Sequence, residues 1–167
     1  MAVSEVQFAE WVQQYYPAVY RRCFYLLGDA DEADDAAQET FLRAYLARER
    51  YDPTRALRPW LLTIATRHCL DRLRRRNRRP TIRWDDGQAP YAVPARAEDT
   101  LLKDEEHARV RREVAALPPM ERTLVILHYW ENLPYEAIAV QTGLSVHAVK
   151  SRLYRARQRL ARILEES

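Results

Sequence analysis

Three features of this sequence predict an all-α protein: two small helical domains joined by a flexible linker, the C-terminal one carrying a helix-turn-helix. Glycine is scarce, with 3 residues in 167, while alanine, leucine, arginine and glutamate are plentiful, a mixture that favours helix. Apolar residues recur at helical spacing through most of the chain. Between Arg79 and Glu98 that periodicity fails, and Pro80, Gly87, Pro90 and Pro94 punctuate the stretch. Hydrophobic residues make up 47% and charged residues 31%, so a packed interior is expected and general disorder is not.

The elements follow in order. Phe8, Trp11, Val12, Tyr15, Val19, Cys23, Leu26 and Leu27 mark a first helical stretch ending at Gly28. Pro17 lies inside it and either kinks one helix or begins a second, because proline lacks the amide donor but suits a first turn. Asp29 and Asp31 are N-cap candidates for the next helix, whose apolar positions include Ala33, Ala36, Ala37, Phe41, Ala44 and Tyr45. Asp52-Pro53-Thr54 signals a turn, and Pro59 suits the first turn of a third helix through Trp60, Leu61, Ile64, Ala65, Cys69, Leu70 and Leu73. After the linker, an amphipathic stretch from about Asp99 ends at Leu117-Pro118-Pro119. Three shorter helices are then expected over roughly 119–130, 134–141 and 146–164.

Charge is distributed unevenly although the net charge is only +3. Asp29, Asp31, Glu32, Asp34, Asp35 and Glu39 form an acidic block. Arg67, Arg72, Arg74, Arg75, Arg76, Arg78, Arg79 and Arg83 form a basic one, relieved only by Asp71. Residues 137–164 hold no acid, while Lys150, Arg152, Arg155, Arg157, Arg159 and Arg162 crowd the second half. Two basic elements and one acidic element predict two contacts with a polyanion and one with a protein.

The region from Pro134 to Leu164 reads as a helix-turn-helix. Ala139 is small where two helices approach, Gly143 can take the positive φ of a tight turn, and Ser145 caps the second helix. At about 100° per residue, Val146, Val149, Leu153, Ala156, Leu160, Ile163 and Leu164 fall on one face of that helix. His147, Ser151, Tyr154, Arg155, Gln158 and Arg162 fall on the other, with Lys150 on the flank. A buried stripe opposite a hydroxyl, an amide, a ring and guanidinium groups is what a major-groove reader requires. A solvated basic helix in an ordinary bundle is the plainer alternative, and it usually mixes charge signs.

Three segments in this order resemble the extracytoplasmic-function (ECF) RNA polymerase sigma factors of the sigma-70 family: DEADDAAQETFLRAY at 31–45, RPWLLTIATRHCLDRLRRR at 58–76, and LPPMERTLVILHYWENLPYEAIAVQTGLSVHAVKSRLYRARQRL at 117–160. The resemblance implies a region 2 domain over 1–79, a linker over 80–98 and a region 4 domain over 99–167. The first would bind RNA polymerase core, recognise the −10 element and open the promoter. The second would read the −35 element.

By that resemblance Asp34, Asp35, Gln38, Glu39 and Phe41 are candidates for the contact with the clamp of the largest core subunit. Carboxylates and an amide facing a basic partner helix give steering and register, with Phe41 either an anchor or a core residue. Trp60, Arg67 and His68 are candidates for −10 recognition on the melted non-template strand, which needs ring faces for unstacked bases and cations for backbone. Many family members carry asparagine where Arg67 stands, so the −10 base preference is expected to differ. Arg72, Arg74, Arg75 and Arg76 would hold phosphates of the upstream duplex. Lys150, Ser151, Tyr154 and Arg155 match the family's −35 positions, and His147 joins them from the helical face. An anti-sigma factor is a further partner that the resemblance implies.

No catalytic residue, metal, cofactor or small-molecule substrate is expected. Asp34, Asp35 and Glu39 occupy one helix without a partnering histidine, His68, His107, His128 and His147 are scattered, and no Gly-rich phosphate loop occurs. Cys23 and Cys69 sit in apolar helical context, as buried thiols do. The first ten residues lack a basic run followed by an apolar one, and no stretch is apolar for long enough to span a bilayer, so a cytoplasmic location is expected. The rival readings are a stand-alone helix-turn-helix regulator and a protein adaptor that uses only the acidic helix.

Overall fold

The computed structural model describes residues 2–78, 92–96 and 104–166, and among them every regular element is helical. Most of the expected linker, residues 80–91 and 97–98, lies outside the described residues, as does Leu101-Leu102 of the stretch that follows.

Helix α1 (Glu5–Leu27) runs unbroken through Pro17. It begins in a reciprocal capping box, with the Ser4 hydroxyl accepting from the Gln7 amide and Gln7 Oε1 accepting from the Ser4 amide. It ends at Gly28, whose φ of 74° needs a residue without a Cβ. Helix α2 (Ala30–Leu46) is capped by Asp29, whose carboxylate accepts from the Glu32 amide. A short 3-10 turn (Arg48–Arg50) leads to α3 (Leu57–Arg78). These helices pack mutually around Val19, Cys23, Leu26, Ala33, Ala37, Ala44, Leu61, Ala65 and Cys69, all 0–1% exposed. Alanines at the α2 positions let the three helix axes approach closely. Cys23 and Cys69 are both free and buried, as expected, and Cys23's hydrogen bond together with burial pushes the Cys69 thiol well above its ordinary pKa.

Helix α4 (Asp104–Ala115) leads to α5 (Pro119–Val125), which continues into a π-helical turn (Ile126–Trp130). The helix expected over 119–130 is therefore two pieces of different pitch. The wider turn is followed by Asn132 at φ 55°, and it delivers Trp130 and Glu131 to the side facing α1 and α3. Helices α6 (Tyr135–Thr142) and α7 (Val146–Glu165) complete the chain. Val114, Leu124, Ile126, Leu127, Ile138, Val149 and Leu153, all 0–1% exposed, form the interior here.

The two helical groups pack against each other, and α3 lies along α6. Their apolar interiors merge into one continuous cluster. Part of the expected linker joins them: Val93 is buried and the Trp130 indole donates to the Pro94 carbonyl at 3.0 Å.

Candidate nucleic-acid interface

The helix-turn-helix is built as its sequence dictates. Helix α6 ends at Gly143, with φ 79°, where the conformation suits glycine. The Thr142 hydroxyl accepts from the Leu144 amide inside the turn, and the Ser145 hydroxyl accepts from the Ala148 amide to start α7. Val149, Leu153 and Ala156 are buried beneath α7, and Val146 and Leu160 pack against the interior. The Leu164 side chain lies outside the described residues. On the opposite side His147, Lys150, Ser151, Tyr154 and Arg155 line one open groove.

The cations of α7 divide by what they touch. Arg152 pairs with Glu121 at 2.9 Å and ties α7 to α5. Arg157 donates to the Tyr129 hydroxyl at 3.3 Å, a bond that raises its pKa. Lys150 and Arg155 remain exposed on the groove, with Lys150 Nζ 5.9 Å from the Tyr135 ring centre. Gln158 donates to the Tyr154 hydroxyl at 2.8 Å and steadies that ring, which is 58% exposed. The groove therefore carries a cation, a hydroxyl, a ring and a guanidinium on a rigid helix, which suits base edges and phosphates together.

The α3 side is arranged differently. Arg67 is exposed, but its guanidinium donates to the Val140 carbonyl of α6 at 3.0 Å. His68 departs from the expectation of a base-facing side chain. It is 6% exposed and neither ring nitrogen has a hydrogen-bond partner. Burial first, then Arg43 and Arg72, lower its pKa to about 4, so the ring is neutral. Trp60 is half-buried, with its ring centre 5.1 Å from that of Tyr51 and 6.3 Å from that of Trp11, so it contributes to packing at the start of α3.

Arg74, Arg75 and Arg76 are exposed and Arg72 is half-buried. The chain's own acids oppose part of this run: Arg76 pairs with Glu32 and Arg74 lies 3.9 Å from Asp71, while Arg72 donates to the backbone carbonyl of Glu32 at 3.4 Å. Part of the charge of this run is thus balanced within the fold. Arg75 has no acid within ion-pair distance among the described residues.

The acidic helix α2 presents Asp31, Asp35, Gln38, Leu42 and Leu46 along one exposed stripe. Asp34 is turned inward to accept from the Tyr16 hydroxyl, and burial with that carboxylate pushes Tyr16 up to about 12. Glu39 pairs with Arg43 at 3.1 Å. Phe41 is 6% exposed and stacks on Tyr16 with ring centres 6.0 Å apart, so it is a core residue and not a surface anchor. The exposed apolar surface of α2 belongs instead to its neighbours Leu42 and Leu46, which are 54% and 73% exposed. Two leucines four apart on the outward side of an amphipathic helix were the available signal.

A buried polar cluster at the seam of α1, α3 and α6 was also missed. Arg22, 1% exposed, donates to Glu131 at 3.1 Å, to the Thr66 hydroxyl at 2.9 Å and to Gln141. Its signal was a charge on the apolar face of α1, between Val19 and Leu26.

Among the described residues no group of histidine, cysteine and acidic side chains is placed to hold a metal. No helix there is long and apolar enough to cross a membrane.

Both helical groups match known proteins. Residues 11–79 match the family model of Sigma-70 region 2, and residues 107–160 match that of Sigma-70, region 4. The chain is 31% identical over 169 residues to ECF RNA polymerase sigma factor SigW of Bacillus subtilis, covering 95% of this chain and 89% of that protein. It is 31% identical over 161 residues to ECF RNA polymerase sigma factor RpoE of Cereibacter sphaeroides, covering 94% and 86%. The fold is similar to that of the sigma factor RpoE crystallised with the anti-sigma factor NepR from Bartonella quintana, with a TM-score of 0.70, 24% identity, and 95% and 96% of the two chains covered. Two family segments in the right order, on the helices that carry the acidic stripe and the open groove, place this chain among the ECF RNA polymerase sigma factors of the sigma-70 family.

Proposed function

We propose that three surfaces divide the work of this sigma factor: the α2 stripe binds RNA polymerase core, α7 reads the −35 element, and α3 handles the −10 element. The observation that carries the reading is the open α7 groove, whose polar side is backed by three buried apolar residues. Arg155 bridges two acceptors on a guanine edge, Lys150 holds a phosphate, and Ser151, Tyr154 and His147 complete the contact. Arg67 supplies the cation near a melted non-template base, and Arg72, Arg74, Arg75 and Arg76 follow the upstream phosphates.

On α2, Asp35 and Gln38 steer a basic partner helix while Leu42 and Leu46 provide the desolvated anchor. The partner is the clamp of the largest core subunit. The chain is not an enzyme: bond formation belongs to the polymerase, and this subunit supplies recognition without cofactor, metal or small-molecule substrate. It acts where the polymerase acts, in the cytoplasm. An anti-sigma factor is a further partner, supported by the Bartonella neighbour's having been crystallised with one.

The test is co-elution with bacterial core polymerase, comparing the wild type with Leu42→Asp. The wild type is expected to enter the complex. Leu42→Asp is expected to weaken entry at least tenfold, because a carboxylate replaces an apolar anchor at a desolvated contact. A chain that never associates with core but binds a −35-like duplex tightly by itself is a stand-alone regulator, and the reading fails.

A further inference from the structure

The seam between α3 and α6 is organised around one buried charge. Arg22 of α1 contacts Thr66 of α3, Gln141 of α6 and Glu131 beyond the π-turn, so a single guanidinium touches both helical groups. Arg21 adds a second cation to Glu131 at 3.8 Å, and Thr66 lies 3.5 Å from Gln141. Gln141 and Thr66 are 3% and 0% exposed, and the Glu131 side chain is 9% exposed. Burial weakens Arg22's hold on its proton, and Glu131 opposes that effect. At the edge of the seam, Arg67 closes onto the Val140 carbonyl.

Such a cluster behaves unlike the apolar contacts that surround it where the two interiors merge. Desolvation of a buried ion pair largely cancels its attraction, whereas water satisfies every member of the cluster once the halves separate. A polar cavity of about 170 Å³, lined by Arg21, Tyr25, Arg58, Trp130 and Glu131 among others, already brings solvent to its rim. The closed arrangement therefore requires the cluster to be complete, and the open arrangement costs its members little.

We propose that the Arg22–Glu131–Gln141–Thr66 cluster is an interdomain latch that keeps the free protein closed, with α6 lying over α3. In that state the α7 groove stays open while Arg67 is held against α6. A partner that binds only the separated form, core polymerase or promoter, shifts the balance by its differential affinity. The consequence for −10 reading rests on the assignment of α3 given above.

The test is small-angle scattering of the free full-length protein, paired with binding of two probes: a −10 non-template oligonucleotide and a −35 duplex. Wild type is expected near the compact radius of gyration of about 15 Å for a chain of this length. Glu131→Gln strands the Arg22 charge, and Gln141→Leu removes one of its acceptors while keeping the ion pair. Both are expected to enlarge the radius with helical content unchanged by circular dichroism. Each should also tighten −10 oligonucleotide binding by up to about tenfold, if the open fraction rises from about a tenth to nearly all, and leave the −35 duplex unaffected.

An expanded wild type overturns the latch. So do folded variants that both stay as compact as wild type. Expansion with unchanged −10 binding upholds the latch and removes α3 from −10 reading instead.

Discussion

Helices α7 and α3 carry the two basic faces of this chain, and the fold presents them in opposite ways. The α7 face looks outward from a seat of Val149, Leu153 and Ala156, and its groove residues lie open, with Lys150 near Tyr135 of the adjoining α6. The α3 face is engaged within the fold: Arg67 is tied to a backbone carbonyl of α6, His68 is buried, and Arg74 and Arg76, though exposed, pair with Asp71 and Glu32. A reader of duplex can be prebuilt, because the groove edges it needs are always displayed. A reader of unstacked bases has no target until strands separate, so under the proposed assignment of α3 nothing is lost by holding Arg67 against α6 in the free protein.

The largest effect is expected beneath the open reader. Leu153 is fully buried, so Leu153→Ala should destabilise the α4–α7 group by about 2–5 kcal/mol, seen as a lower urea midpoint, and abolish −35 binding. If −35 binding persists, the groove does not depend on its apolar seat and the contrast with α3 fails. At the groove itself, Arg155→Ala should reduce discrimination between matched and scrambled −35 duplexes by about 1–3 kcal/mol, measured as a ratio of dissociation constants. Equal losses on both duplexes would make Arg155 a phosphate contact and leave base reading to its neighbours.

The covered side has a pH signature. The pKa of His68 is lowered to about 4 in the folded protein, against about 6.5 in the unfolded chain. As pH falls below 6.5, the unfolded chain takes up a proton that the folded one refuses, so the stabilisation present at neutral pH is lost on the way to 4. Urea unfolding at pH 5 should show about 2 kcal/mol less stability from this group than at pH 7. His68→Gln should flatten the difference, and an equally steep loss in that variant would show that His68 takes up its proton alike in the folded and unfolded chains.

Much of this was legible in the sequence because its signals are local. The Gly143 turn, the Ser145 cap and the two faces of α7 follow from spacing alone, and the structure reproduces the faces wherever its side chains are described. The unbroken α1 shows the limit of local punctuation: Pro17 is accommodated inside a helix whose packing overrides the breaker. Phe41 and Leu42 show another limit, since adjacent apolar residues on α2 point in opposite directions and only the position of α1 decides which is covered. The settings of His68 and Arg67 were out of reach for a non-local reason. Their surroundings are set by α2 and α6, the latter more than seventy residues away in the chain, and no periodicity reports such a partner. The Arg22 cluster joins residues 22, 66, 131 and 141, so only its misplaced charge was visible beforehand.

Transcription in vitro tests the central claim most directly. Bacterial core polymerase, the purified chain and a template carrying the region upstream of its own gene are combined, and run-off products are compared with and without the chain. A discrete transcript that requires the chain, and that weakens when Arg155 is replaced by alanine, is the expected result. A chain that binds this DNA tightly without core, yet directs no specific transcript from it, would contradict the sigma-factor account.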